Sequence, residues 1–250
     1  MLFKPLALFA ALAALAVAHP QPADKRQNAA VQVIENCSVQ GQVALTFDDG
    51  PYLYEMDVVK QLNGGKATFF FNGNNYDCIY NHVDTVRTLY AQGHTLASHT
   101  WSHPDLTKLD YNGINQELEK LETAFIRILG VKPLYFRPPF GSYNNLVLQV
   151  LRDRGYKKLF LWSDDTGDAN GASVQSSKNT YNSIKFPAPH MVLSHSTIQT
   201  TSTQVLPFAV PKLQCQGYSL RAVDTCLGSN GEWPYQYIGP PGTPDGSWKC

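Results

Sequence analysis

From about residue 40 onward the chain alternates short β-branched or aromatic runs with longer stretches of helical periodicity. Residues 43–48, 67–72, 94–98, 134–137, 158–163, 191–194 and 219–223 read as strands. Residues 55–62, 83–92, 114–129, 146–154, 173–184 and 203–213 read as helices. Gly64, Gly93, Gly130, Gly155 and Gly217 stand just past helix ends, where a left-handed cap is favoured. The clearest helix places Ile114, Leu118, Leu121, Phe125, Ile128 and Leu129 on one face, with Glu117, Glu119 and Lys120 outward. Strands alternating with helices imply parallel pairing through right-handed crossovers, in a doubly wound sheet or a barrel. A doubly wound sheet gathers its chemistry at one switch point, whereas a barrel draws it from many strand ends. Polar clusters follow the first, third, fourth, fifth and sixth strands here, which favours a barrel. The predicted fold is α/β: a distorted, incomplete (β/α) barrel with about seven parallel strands. Residues 227–250, rich in Gly, Pro and aromatics, read as an irregular tail packed on that single domain.

The N-terminus is a separate device. Lys4 precedes an Ala/Leu-rich run ending at Ala16–Val17–Ala18, the pattern of a signal peptide (1–18) cleaved after Ala18. Residues 19–26 end in Lys25–Arg26 and read as a short pro-segment, with a plain charged linker as the alternative. The mature domain then spans 27–250. No later stretch holds 18 consecutive apolar residues, so a secreted, soluble protein is expected. Lys plus Arg and Asp plus Glu both number 20, which argues against nucleic acid or an anionic membrane as the main partner. Export implies a compartment where disulfides persist. The five cysteines contain no C-x-x-C pair, and an odd count leaves at least one thiol free. Asn36 heads the only N-x-S/T sequon, with a cysteine in its middle.

The first strand run ends in Asp48–Asp49–Gly50–Pro51. Two adjacent carboxylates repel each other unless a cation or a proton intervenes. His99 and His103 follow the third strand at i, i+4, a spacing that puts both on one face of a helical turn and suits one metal with a third, anionic ligand. Arg137–Pro138–Pro139–Phe140–Gly141 follows the fourth strand; its prolines leave the N–H groups of Phe140 and Gly141 to face a developing oxyanion. A buried Arg137 would need carboxylates, from Asp48 or Asp165. Asp164–Asp165–Thr166–Gly167–Asp168 follows the fifth strand and lacks the closing Glu of a calcium loop; Leu193–Ser194–His195 follows the sixth. Each cluster alone has an ordinary structural reading. Asp–Gly is common turn chemistry, and a lone histidine after an apolar run is more often structural than catalytic.

Together and in this order, the five clusters resemble the polysaccharide deacetylase family (carbohydrate esterase family four, the NodB homology domain). Thr46 to Pro51 matches its first motif, His99 to Pro104 its second, Arg137 to Phe140 its third, Asp165 to Ala169 its fourth and Leu193–Ser194–His195 its fifth, over residues 40–225. The exported single-domain layout is most similar to fungal chitin deacetylases. The resemblance implies hydrolytic N-deacetylation of chitin or chito-oligosaccharides by a monomer. A divalent metal, zinc with cobalt as the alternative, would be held by Asp49, His99 and His103. It further implies Asp48 as general base, Arg137 holding Asp48, Asp165 holding Arg137, the Phe140 N–H at the oxyanion and His195 as general acid. It also implies a Cys37–Cys226 disulfide. Where the fourth motif usually closes on tryptophan this chain has Ala169, so that wall of the groove is expected to be more open or filled by another aromatic. O-deacetylation of acetylated xylan is the alternative activity, and a non-catalytic carbohydrate-binding domain the alternative class. A glycosidase would place two carboxylates about 5 to 9.5 Å apart across a groove, which adjacent acids with two histidines do not suit.

Overall fold

The computed structural model describes residues 30–250. The signal peptide and pro-segment expected over 1–26 lie outside the described residues. All seven expected strand runs contain strands: β2 (Gln42–Asp48), β3 (Thr68–Phe71), β4 (Thr95–Ser98), β6 (Tyr135–Phe136), β7 (Lys158–Phe160), β9 (His190–His195) and β10 (Ser219–Leu220). Four short strands are added: β1 (Gln32–Ile34), β5 (Val131–Pro133), β8 (Asp164–Asp165) and β11 (Tyr235–Tyr237). Their lengths of two or three residues are too short to leave a period in the sequence.

The main sheet runs β1-β7-β6-β4-β3-β2-β9-β8, with β10 beside the start of β2 and every pair parallel. β7 and β8 stand near opposite ends of that order, yet only Leu161–Trp162–Ser163 separates them in the chain. The Leu161 N–H donates to Ile34 O on β1, and the Ser163 N–H donates to Met191 O on β9. One stretch of backbone therefore joins the two edges, and the sheet curls into the distorted, incomplete barrel that the strand–helix rhythm implies.

β2 is buried along all but its first residue, as suits a central parallel strand. Alternate side chains go to two different cores. Val43, Leu45 and Phe47, with Phe69, Phe71 and Leu96, pack in the cluster shared with the helices. Ala44, Phe70, Ala97, Tyr135, Phe160 and Met191 form the smaller central cluster. Continuing the central parity to the C-terminal strand ends reaches Asp48, Asn72, His99, Arg137, Trp162 and His195. The period of two thus delivers these polar residues to one mouth of the barrel.

The helices are α1 (Glu55–Gln61), α2 (Val83–Ala91), α3 (Tyr111–Leu129), α4 (Asn145–Asp153), α5 (Val174–Ser183), α6 (Leu206–Cys215) and the single turn α7 (Val223–Cys226). α3 starts three residues before its apolar stripe, because the Asp110 carboxylate accepts the Gly113 N–H at 2.8 Å and caps it; Gly130 ends it at φ 75°. Between β9 and α6, Thr201–Val205 forms a π-helical turn.

In the tail, β11 pairs antiparallel with β5, and Trp248 packs on Tyr80. Cys37 is bonded to Cys226, the pairing the family resemblance implies, and Cys78 to Cys250; Cys215 is free and exposed. The first bridge spans 189 residues of sequence. On the chain-entropy account, closing so long a loop removes about 5 kcal/mol of unfolded-state freedom. Cys37→Ser combined with Cys226→Ser should therefore lower the unfolding free energy in urea by up to that amount, with less loss if the reduced unfolded chain retains structure.

Candidate active site

A cleft of about 500 Å³ opens at the barrel mouth, with Asp48, Asp49, His99 and His103 in it and Tyr76, Phe140 and Trp162 among its walls. Backbone strain gathers here. Among the described residues, four of the five non-glycine residues at positive φ are Asp49 (72°), Thr100 (74°), His103 (60°) and Phe140 (59°). Such conformations cost about 1–3 kcal/mol each and persist where the surroundings over-determine them.

His99 and His103 do not share a helical turn, contrary to the i, i+4 reading. The segment is a loop folded by left-handed Thr100 and His103, with the Thr100 hydroxyl accepting the His103 N–H at 3.0 Å. The Asn72 amide donates to the carbonyls of His99 and Thr100 and secures the loop. The two imidazoles still converge, their centroids 5.0 Å apart. Asp49 Oδ1 lies 3.6 Å from His99 Nε2 and 3.3 Å from His103 Nε2, and the three ligand atoms fall within 4.8 Å of one another. His99 Nδ1 donates to Arg137 O at 2.7 Å, which leaves the Nε2 lone pair facing Asp49. Burial disfavours the charged forms of both histidines and raises the Asp49 carboxyl. Neutral imidazoles beside an acid that gains from a nearby cation are a fitting donor set for a divalent metal.

Asp48 is buried and tied to the fully buried Arg137, whose Nη1 donates to Asp48 Oδ1 and to Thr46 Oγ1, each at 2.8 Å. Arg137 Nη2 donates to Leu161 O at 2.8 Å, and the guanidinium lies 4.1 Å from the Phe70 ring centroid. Asp165 does not hold Arg137, contrary to the role the resemblance implies. It forms no ion pair within 4.0 Å among the described residues; its Oδ1 accepts the Gly167 N–H at 2.7 Å, and it lines the cleft. The barrel-closing segment supplies a backbone carbonyl instead, which the sequence does not reveal.

Phe140 lies in a tight turn whose hydrogen bonds come from Gly141 N–H to Pro138 O and Ser142 N–H to Pro139 O. The Gly141 N–H, one of the two oxyanion candidates, is therefore spent inside the turn, and Phe140 remains. The exposed Phe140 ring stands edge-on to His103, centroids 4.7 Å apart. Ala169 adds no ring to the rim; Trp162 provides an aromatic wall, against Gly141.

His195 is gripped by Asp168. Asp168 Oδ1 accepts from His195 Nδ1 at 2.7 Å, while Oδ2 accepts the His195 N–H at 2.8 Å and the Thr201 hydroxyl at 2.6 Å. Burial alone would lower the imidazole. The hydrogen bond and charge of Asp168, then Asp48 and Asp49, outweigh it and push His195 up to about 9. Asp168 had no assigned role in the sequence reading; the acid three residues after Asp165 was its signal.

A carboxylate triad partner, a second buried acid and a carboxylate-held histidine in one cleft suit hydrolysis. The sequence model described as polysaccharide deacetylase matches residues 35–159. A chitin deacetylase of Pestalotiopsis sp is 36% identical over 239 residues, 90% of this chain and 78% of that protein. The chain belongs to the polysaccharide deacetylase family. It is a hydrolase of that family, and the family employs a divalent metal. The chitin deacetylase of Colletotrichum lindemuthianum is 32% identical over 244 residues, covering 93% of this chain and 98% of that one. Its solved structure superposes with a TM-score of 0.78 over 84% of this chain and 97% of its own. A peptidoglycan-N-acetylglucosamine deacetylase of Bacillus cereus is 33% identical over 186 residues, 71% of this chain and 65% of that protein.

Proposed function

We propose that this polysaccharide deacetylase removes N-acetyl groups from N-acetylglucosamine units of chitin or chito-oligosaccharides, releasing acetate outside the cell. The observation that carries this reading is the division of two adjacent acids. Asp49 faces the paired histidines, while Asp48 is held by Arg137. Asp49, His99 and His103 would hold the metal, proposed as zinc, with cobalt as the alternative. When bound it supplies Lewis acidity toward the acetyl carbonyl and a lowered pKa for water. Asp48, fixed through Oδ1, takes the proton of the attacking water. The Phe140 N–H is assigned to the oxygen where charge develops. An amine leaves poorly without a proton, and His195, held charged by Asp168, delivers it to the departing nitrogen.

The test is mass spectrometry of products from acetylated chito-oligosaccharides, with acetylated xylan in parallel. Loss of acetyl groups from the chito-oligosaccharides, abolished by a chelator and restored by a divalent metal, is expected. Acetate from xylan alone would make this an O-deacetylase. His99→Ala should lower bound zinc from one per chain toward zero, measured by atomic emission. Equal zinc in this variant and the parent would remove His99 from the ligand set.

A further inference from the structure

Glu55, the first residue of α1, is a buried acid that neither the triad nor the acid–base pair uses; Glu122, also buried, is paired with Arg154 and Lys132. Glu55 is 1% exposed, and it forms no ion pair within 4.0 Å among the described residues. Its Oε1 accepts the Tyr52 N–H and the Ser196 hydroxyl, each at 2.9 Å, and its Oε2 is buried without a partner. Burial raises its carboxyl. A helix start is ordinarily satisfied by a Ser, Thr, Asp or Asn cap at the surface, so a fully buried glutamate is a costly choice for that purpose. Such a departure is expected where a site requires it.

The two groups that Glu55 joins identify the site. Tyr52 lies three residues after the left-handed Asp49, and Ser196 directly follows His195. β2 and β9 are neighbours, with Asp48 opposite His195. The carboxylate is wedged between the two strand tips: a Cβ at Gly50 would lie 2.4 Å from Glu55 Oε1 and 2.9 Å from Ser196 Oγ. The Asp49 turn has a second restraint, Asn72 N–H to Gly50 O at 2.8 Å. The Ser196 side chain meets Glu55, and Asp168 grips the preceding His195.

We propose that Glu55 is a positioning residue for deacetylation: through Oε1 it fixes the His195 turn relative to the Asp48–Asp49 turn. This rests on the assignment of His195 as proton donor to the leaving amine. Displacement of about 1 Å at such a group costs up to about 10²-fold. The acceptor at Oε1, rather than the charge, is what the geometry uses, and glutamine preserves it.

The test compares Glu55→Gln and Glu55→Ala in the metal-loaded enzyme on an acetylated chito-oligosaccharide and on an aryl acetate. The aryl acetate has a leaving group that departs without protonation. Glu55→Ala should lose about tenfold in kcat on the amide with KM unchanged, and less than threefold on the aryl ester; Glu55→Gln should stay within about threefold of the parent on both. A merely structural role would lower both substrates alike, so equal losses in Glu55→Ala overturn the proposal. So does an unimpaired Glu55→Ala, or a Glu55→Gln as weak as Glu55→Ala. A folded Glu55→Gln keeps the comparison interpretable if the alanine variant melts early. A parent that cleaves the aryl ester and no chito-oligosaccharide would refute the substrate reading and take the proposal, written for amide cleavage, with it; the other overturning results all require a parent active on the amide, so the two failures are distinguishable.

Discussion

Asp48→Asn is expected to retain the bound metal and to lower turnover by about 10²- to 10⁴-fold, the range a positioned general base supplies. Asp48 Oδ1 is committed to Arg137 at 2.8 Å, and Oδ2 lies 3.7 Å from His99 Nε2 at the cleft. Asparagine can keep its oxygen toward Arg137, which then turns an NH₂ donor to where a proton acceptor is required. The three metal-binding side chains are untouched. The substitution also leaves the fully buried guanidinium without its counter-charge. Breaking a buried pair by removing one partner costs about 3–5 kcal/mol, so a lower melting temperature accompanies the loss of rate. Turnover is therefore compared well below the variant's melting temperature, at equal metal content by atomic emission. Near-parent acetate release there would show that another group takes the water proton.

The barrel and most of the site were legible because both depend on short-range pattern. The apolar run 43–48 ends at the acids, and alternation along neighbouring strands sends Asp48, His99, Arg137 and His195 to one mouth. Two kinds of feature were not legible. The first is backbone geometry with no residue code. Left-handed Thr100 and His103 turn the presumed helical turn into a loop, and the same ligands still converge. Barrel closure through Leu161–Ser163 gives Arg137 a carbonyl partner where a side chain, Asp165, was expected. The second is long-range pairing. Glu55 carries no sequence signal beyond its place at the start of the 55–62 helix, because its partner Ser196 is 141 residues away. Asp168 reads as turn chemistry until β8 pairs with β9 and brings it under His195.

Asp168→Asn should also slow turnover, most strongly above neutral pH and for a different reason than loss of the base. A general acid works only while protonated, so the parent's rate should fall as pH rises through the His195 value, which Asp168, Asp48 and Asp49 together hold up to about 9. A cation at Asp49, His99 and His103 offsets the share owed to Asp48 and Asp49. The hydrogen bond and charge of Asp168 then carry most of what keeps the imidazole charged near neutrality. Asparagine removes the charge, and its NH₂ can donate to Nδ1, which leaves a neutral ring that is a poor acid. The alkaline limb of kcat should move down toward the unperturbed value of about 6.5, so that kcat falls by only about fourfold at pH 7 but by about 10²-fold at pH 8.5. Stability provides an independent reading of the same pair. A histidine raised on folding contributes stability that is complete below its unfolded value of about 6.5 and is lost as pH rises through its folded one. Urea melts of the parent should thus weaken between pH 6.5 and 9 more than those of Asp168→Asn. Parallel pH dependences in the two proteins, with an unmoved alkaline limb, would mean that the charge on His195 does not depend on Asp168.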